Sequence, residues 1–262
     1  MQQVVLALGN EIRKRLLIMW DYKFNVLTQV VTVAFIFIGA SFFIQGGELQ
    51  PGPLAPMLLG YMVWFYARII IMNTSNDLMA EAQAGTLEQM YMSPNPTSLL
   101  LLGRLLALLI STTLIVIVPT LILGILLGIR IPLRWEGVPV LFITLAGLFG
   151  FTLALSGIAL VFKQTDALAD LVQNALLFLT GSLLPVSRFP EWLEAISRTL
   201  PITQGIIVLR EVMLENISLT ASWMNGGLVW LIVHSTSYVC VGFLIFKWCE
   251  RIAKKQGSLG HY

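Results

Sequence analysis

Six long apolar stretches constrain this chain more than any other feature of its sequence. A helix needs roughly 20 apolar residues to cross a hydrocarbon core about 30 Å thick, and each stretch has about that length. We therefore predict an all-α integral membrane protein with six transmembrane helices. The stretches cover residues 25–46, 54–73, 99–129, 137–162, 167–184 and 225–248.

Composition supports a membrane protein. Only 11% of the 262 residues are charged, whereas a soluble globular chain carries roughly 25%. The residues between the apolar stretches are too few for a separate soluble domain, so we expect one transmembrane domain over residues 1–262. The formal net charge of +2 is too small to suggest nucleic acid. We expect membrane lipids, and no nucleic acid, among the partners.

The amino-terminal segment, residues 1–24, has a different pattern. Its apolar side chains recur every third or fourth position, while basic and polar side chains occupy the other faces. This pattern predicts an amphipathic helix that lies in the headgroup plane of the membrane. The recurring residues are Val4, Leu8, Ile12, Leu16 and Met19.

Basic residues set the expected orientation, because cytoplasmic segments carry an excess of lysine and arginine. Both ends of the chain carry such clusters. With six spans between them, both termini are expected in the cytoplasm. The first cluster is Arg13, Lys14, Arg15 and Lys23, and the second is Lys247, Arg251, Lys254 and Lys255.

Two connections between spans are long. Residues 74–96 would lie inside, and residues 77–92 suit a short helix interrupted at Gly85. Residues 185–224 would lie outside, and we expect one or two short re-entrant helices there, in the outer leaflet. Pro190, followed closely by two glutamates, has the composition of a helix start.

Two glycine pairs suggest close helix packing, because small residues let membrane helices approach each other. Gly124 and Gly128 lie near the end of the third stretch, and Gly147 and Gly150 lie in the fourth. We expect all four positions to face a neighbouring helix.

The sequence contains no glycine-rich phosphate loop, no Ser–His–Asp arrangement and no Cys/His cluster with zinc spacing. Cys240 and Cys249 are nine residues apart, which is about 13 Å along a helix and excludes a disulfide or a shared metal. We expect no cofactor and no catalysis in this chain alone.

Two segments carry a family resemblance. The inner connection contains EAQAGTLEQM over residues 81–90, followed by Ser-Pro. The outer connection contains GSLLP over 181–185, FPEW over 189–192 and a Leu-Arg pair at 209–210. Both segments resemble those of ABC-2-type transporter permeases, as do the interfacial first helix and the six spans. The resemblance covers essentially the whole chain.

The resemblance implies a half-transporter. Two permease chains, identical or different, would face each other, and two separate ATPase subunits that bind ATP and Mg would dock below them. The inner helix would be a coupling helix that sits in a groove of the ATPase; the alternative is a solvated loop with a few acids. The coupling residues would be Glu81, Gly85, Thr86, Leu87, Glu88 and Gln89.

The resemblance also implies ATP-driven export across a bacterial or archaeal plasma membrane. The substrate would be hydrophobic, amphipathic or lipid-linked, such as a drug, a lipid or a glycan. The family places the substrate path between spans two and five. Candidate lining residues are Leu58, Tyr61, Phe65, Arg68, Leu177 and Gly181.

For several polar residues within the spans, the sequence supports two interpretations. Arg68 either meets an anionic substrate group or snorkels toward the inner headgroups. His234 either faces substrate or packs through a hydrogen bond between helices. Gln173 and Asn174 in the fifth stretch pose the same choice.

For residues near the ends of the fifth stretch, the sequence also supports two roles. Asp166 and Asp170 at its inner start are expected to cap the helix, because acids favour the first turn, and a cation site is the alternative. Phe189 and Trp192 in the outer connection either gate the exit of substrate or anchor the loop among the headgroups.

Two other functions compete with transport. An integral membrane enzyme acting on lipids would need a catalytic cluster near one leaflet, and the sequence offers none. A passive channel or a structural membrane subunit would need no ATPase and would leave the GTLE string at residues 85–88 unexplained.

Overall fold

The computed structural model describes residues 2–83, 97–132, 134–162 and 165–255, and within these ranges the chain is helical without strands. The predicted all-α class is therefore confirmed. A 3₁₀ turn, Val186–Arg188, follows the sixth helix. The helices are α1 (Gln2–Asp21), α2 (Lys23–Ile44), α3 (Pro51–Gln83), α4 (Thr97–Leu126), α5 (Gly137–Phe162), α6 (Thr165–Leu179), α7 (Glu191–Thr199), α8 (Thr203–Met213), α9 (Leu219–Met224) and α10 (Gly227–Lys255).

Among the described residues, five helices are long and apolar enough to cross a membrane, so this is a multi-pass membrane protein. The fifth predicted stretch, 167–184, forms only the 15-residue helix α6. The helix ends before Gly181, which has a φ of +80° that glycine adopts without strain. The count of six spans stays a prediction. The five segments are Lys23–Ile44, Pro51–Thr74, Ala107–Leu126, Gly137–Ala159 and Gly227–Ile252.

Helix α3 forms the centre of the bundle. It packs against α2, α4, α5, α6 and α8. Of its spanning segment, 78% is buried, compared with 22% in α2 and in α10. A helix that is apolar on all sides belongs in an interior, and α3 meets this requirement because its large side chains Tyr61, Trp64 and Phe65 are buried among the other helices.

Glycines allow the extensive contact between α5 and α10. The backbones of Gly150 and Gly242 touch, so that a β-carbon on Gly242 would overlap the carbonyl oxygen of Gly150. Gly147 also lies close to α10, since a β-carbon there would be 2.8 Å from the Ser235 hydroxyl. The predicted close packing at Gly147 and Gly150 is confirmed.

The same prediction for Gly124 and Gly128 is wrong. A β-carbon on Gly128 would meet nothing within 4 Å, and this residue has a φ of +64° just beyond the end of α4. The amide of Ile129 donates to the carbonyl of Gly124 at 2.8 Å. A left-handed glycine with such a backward hydrogen bond is a common helix terminus. This pair therefore terminates α4 and does not pack it against a neighbouring helix.

The connection between α6 and α10 contains three helices and the 3₁₀ turn, where one or two helices were expected. As predicted, α7 begins directly after Pro190 and carries Glu191 and Glu194 in its first turn. Helix α8 is buried against α3, α5 and α10, whereas most residues of α7 are exposed. Insertion of these helices into the outer leaflet stays a prediction.

The amino-terminal segment forms the 20-residue helix α1, which lies along α4. Arg13 and Lys14 are exposed, and so are the apolar side chains of Leu17 and Trp20. A helix with both kinds of side chain exposed is compatible with the headgroup plane, although its position in a membrane stays a prediction.

The inner connection starts differently from the prediction. Helix α3 continues without interruption to Gln83, so residues 77–83 extend α3 and do not begin a separate helix. Residues 84–96, which hold most of the predicted coupling helix, lie outside the described part of the chain.

We expect Gly242→Ala to lower the midpoint of thermal unfolding in detergent by about 5 °C, because the added methyl group overpacks the contact between α5 and α10. Gly39→Ala in α2 is the matched control, since a β-carbon there meets nothing within 4 Å. Equal unfolding midpoints for the two variants would contradict the close approach of the two backbones.

Candidate functional site

The structure brings together the two helices that were expected to line a substrate path, because α3 packs along α6. The predicted lining residues of α3, however, are covered. Leu58 is 1% exposed, and Tyr61 and Phe65 are each 2% exposed. Leu177 on α6 is also buried. Within a single chain Tyr61, Phe65 and Leu177 form packed core, whereas Leu58 borders a cleft of about 320 Å³ between α3, α4, α5 and α8.

Two side-chain hydrogen bonds hold α3 in this position. The Tyr61 hydroxyl donates to the carbonyl of Val33 on α2 at 2.8 Å. The Trp64 indole donates to the carbonyl of Gln173 on α6 at 2.7 Å. Because these polar atoms would be costly to bury without partners, the two bonds fix α3 against both neighbours.

Arg68 lies one turn further along α3 and is half-buried. Its guanidinium sits 5.7 Å from the centre of the Trp64 ring, a distance at which a cation is attracted to an aromatic face. This contact offsets part of the free-energy cost of placing a charge among apolar helices. Both interpretations of Arg68, path residue or snorkelling residue, stay open.

The opposite side of α6 is exposed and carries polar groups. Asp170 and Asn174 lie on this face one turn apart, together with the apolar residues Leu171 and Phe178. Phe178 is 65% exposed. Since α3 covers the other side of α6, this stripe is the part of the helix pair that remains free to meet substrate or another chain.

Gln173 is buried on the covered side of α6, and its amide nitrogen donates to the carboxylate of Asp170. The expectation that Asp170 caps the helix is wrong, because α6 begins at Thr165 and Asp170 lies in its second turn. The side chain of Asp166 lies outside the described residues.

Arg210 on α8 connects three segments of backbone. Its Nε donates to the carbonyl of Pro56 at 2.9 Å, and its Nη2 donates to the carbonyls of Gly181 at 2.7 Å and Ser182 at 3.3 Å. Gly60 leaves room for this side chain, since a β-carbon there would collide with the guanidinium. The Gly181 position predicted for the path therefore serves as an acceptor for Arg210.

Burial lowers the pKa of Arg210 to about 10, so the guanidinium stays charged at neutral pH. A planar, charged group with several donors suits such a junction better than lysine. The sequence contained one signal of this role, the Leu-Arg pair of the family resemblance, but nothing in it indicated which carbonyls the arginine would meet.

His234 on α10 joins the outer connection to the bundle. Its Nε2 lies 3.1 Å from the carbonyl of Thr199 at the end of α7, and the Tyr238 hydroxyl donates to the same carbonyl at 2.5 Å. The two rings also contact each other edge to face. This arrangement supports the packing interpretation of His234.

The predicted gate residues lie on either side of the start of α7. Phe189 is half-buried directly after the 3₁₀ turn, whereas Trp192 is 66% exposed in the first turn of α7. Arg198 and Glu194 form an ion pair at 2.7 Å on another face of the same helix. An exposed tryptophan beside a charged face is typical of membrane interfaces.

Of the predicted coupling residues, Glu81 is the one that falls within a described helix. Glu81 lies near the end of α3, and its side chain is outside the described residues, as are Gly85, Thr86, Leu87, Glu88 and Gln89. In the part of the chain that the structure describes, no group of three or more His, Cys, Asp or Glu side chains could hold a metal ion.

Comparison with known proteins adds a family and two relatives. A sequence profile of the family described as "ABC-2 type transporter" matches residues 3–214. Each relative is described as a probable doxorubicin resistance ABC transporter permease protein, DrrC, of Mycobacterium tuberculosis, from strains CDC 1551 / Oshkosh and ATCC 25618 / H37Rv. Each is 30% identical over 178 residues, covering 63% of this chain and 58% of the relative. The match thus spans less than two thirds of these relatives.

We expect Arg210→Lys to lower the midpoint of thermal unfolding by about 5 °C. Arginine reaches Pro56 from Nε and Gly181 from Nη2, whereas lysine donates from one nitrogen, so a buried acceptor is left without a donor. Arg198→Lys is the control, since Arg198 is an exposed arginine in a surface ion pair. An Arg210→Lys protein that unfolds at the wild-type temperature would show that the bridge contributes nothing to stability.

Proposed function

The chain belongs to the ABC-2 type transporter family, and from this we propose that it is the permease subunit of an ATP-driven exporter in a bacterial or archaeal plasma membrane. Two permease subunits would face each other across a seam. ATP and Mg would bind to two separate ATPase subunits on the inner side. Both termini of the permease would lie on that side as well.

The exposed stripe of α6 carries this proposal. Asp170 and Asn174 sit on it among apolar residues, and polar side chains at membrane depth face protein or water and seldom face lipid. Because α3 already covers the other side of α6, the stripe needs either a second permease chain or an aqueous path. A seam between two copies of α6 would supply both.

A seam of this kind would suit an amphipathic substrate. Leu171 and Phe178 would contact its apolar part, while Asp170 and Asn174 would meet polar groups. The name of the two relatives points to resistance against a drug, which supports export of a hydrophobic or amphipathic molecule. A lipid or a lipid-linked glycan satisfies the same chemistry, and within this class the substrate is left open.

Helix α3 would transmit motion between the two ends of the protein. Its 33 residues form one helix, about 50 Å long. It extends nine residues beyond the end of its spanning segment at Thr74. These nine residues lead directly into the segment with the proposed coupling residues Gly85–Gln89, so a push there would reach the far end of α3, where Pro56 contacts Arg210.

The proposed cycle has two states. Closure of the ATPase pair on ATP would push the inner end of α3, rock the two bundles against each other and open the seam outward. Phe189 and Trp192 would lie at the outer exit. Each nucleotide state must stabilise one arrangement more than the other, because a ligand shifts an equilibrium only through its differential affinity.

The competing functions have less support. A lipid-modifying enzyme needs a catalytic cluster, and among the described residues no group of three or more His, Cys, Asp or Glu side chains could hold a metal ion for it. A passive channel or a structural subunit gives no role to the inner extension of α3.

We expect a cysteine at position 174, in a protein without Cys240 and Cys249, to form a disulfide-linked product in oxidised native membranes. A product of twice the chain mass would indicate two copies, and another mass would indicate a different permease. Cysteine at position 125 is the control, because Ile125 on α4 is 81% exposed and lies away from α6. Cross-linking at 125 but not at 174 would contradict a seam along α6.

We expect Glu88→Lys to reduce the amount of ATPase that co-purifies with the permease about tenfold, because reversing a charge at an interface removes one attractive pair and adds repulsion. The control is Glu191→Lys, the same change on the opposite side of the proposed topology, at an exposed position in α7. Full retention of a coupled ATPase by Glu88→Lys would remove Glu88 from the mechanism.

A further inference from the structure

A cleft of about 340 Å³ opens at the end of the bundle where α2 stops and α3 starts. Its walls come from the end of α2, the first turns of α3 and the segment after α6, and two arginines line it, Arg188 from the 3₁₀ turn and Arg210 from α8. The cleft shares no lining residue with the exposed stripe of α6.

The two guanidinium groups bring positive charge to the cleft without a matching acid. Arg210 uses Nε and Nη2 on backbone carbonyls, and its Nη1 makes no hydrogen bond to any described residue. Arg188 is exposed, and the ion pairs found among the described residues join other arginines, Arg134 and Arg198. Glu48, on the connection between α2 and α3, accepts from the Gln50 amide and does not line the cleft.

The first turns of α3 border the cleft through Pro53 and Pro56. Proline has no backbone N–H, so the donors for an anion must come from the two arginines. The cleft also lies beside Ile44 and Pro51, where spanning segments end and begin, which is the depth at which a bilayer places its phosphate groups.

We propose that this cleft binds a phosphate group, held between Arg188 and the free Nη1 of Arg210. Arginine donates to phosphate oxygens through charge-assisted hydrogen bonds and is a preferred residue for this anion. The group could belong to a phospholipid headgroup or be free phosphate. Apolar walls formed by Met57 and Leu183 favour the phospholipid, because they would contact the glycerol and the first carbons of its chains.

A binding titration tests the proposal without ATP or transport, so its failure is distinct from failure of the proposed function. The full chain, purified with whatever subunits accompany it, is titrated against phosphatidylglycerol labelled on an acyl chain. Diacylglycerol with the same label is the phosphate-free lipid. We expect Arg188→Gln to weaken phosphatidylglycerol binding about tenfold and to leave diacylglycerol binding unchanged.

The matched control is Arg198→Gln, which removes an exposed arginine on α7 outside the cleft and should bind as the wild type does. Arg188→Lys, which keeps the charge, should recover part of the affinity. Competition with millimolar inorganic phosphate separates the sources: displacement of the lipid means that the phosphate group alone is recognised, and no displacement means that the lipid is required. Equal phosphatidylglycerol affinities for Arg188→Gln and Arg198→Gln would overturn the proposal.

Discussion

Backbone carbonyls at a helix end need donors, and inside a membrane protein water is scarce, so the donors must come from the protein. The end of α6 presents this problem, because the chain turns at Gly181 and leaves its carbonyl and that of Ser182 beyond the helix. The guanidinium of Arg210 donates to both of these carbonyls and also to that of Pro56 on α3. A single side chain therefore links α3, the turn after α6 and α8.

This junction explains why the centre of the protein is arranged as it is. The α3 helix is enclosed by five other helices and is fixed at three heights, by Tyr61 toward α2, by Trp64 toward α6 and by Pro56 toward α8. A helix held in this way moves as a rigid body with its neighbours. In the proposed exporter, a push at the inner end of α3 would displace the outer end of α6 together with α8.

The sequence allowed good prediction of features that follow from apolar length or from the residues typical of a helix start. The fourth stretch, 137–162, coincides with α5, and α7 begins where Pro190 and two acids indicated. Apolar length predicted the end of α6 poorly, because the apolar stretch continues to residue 184 and includes the turn at Gly181. Apolar runs could not tell which side of a helix faces a neighbour, since nearly every side chain of α3 between Leu54 and Met72 is apolar.

Partners distant in sequence were beyond pattern analysis for a physical reason. The acceptors of Arg210 are 154 and 29 residues away, and no local period encodes such a pairing. The glycine pairs show the same limit: Gly147 and Gly150 meet α10, whereas Gly124 and Gly128 end a helix. Two similar glycine pairs, four and three residues apart, thus have different roles, and only the arrangement of helices around them decides which applies.

The most direct test of the central claim is the mass of the intact complex, measured by native mass spectrometry after gentle extraction from membranes of the native host. A permease subunit of an ABC exporter should appear with two permease chains and two ATPase chains, and the ATPase should hydrolyse ATP. A stable, monodisperse species that contains this chain and no ATPase would contradict it.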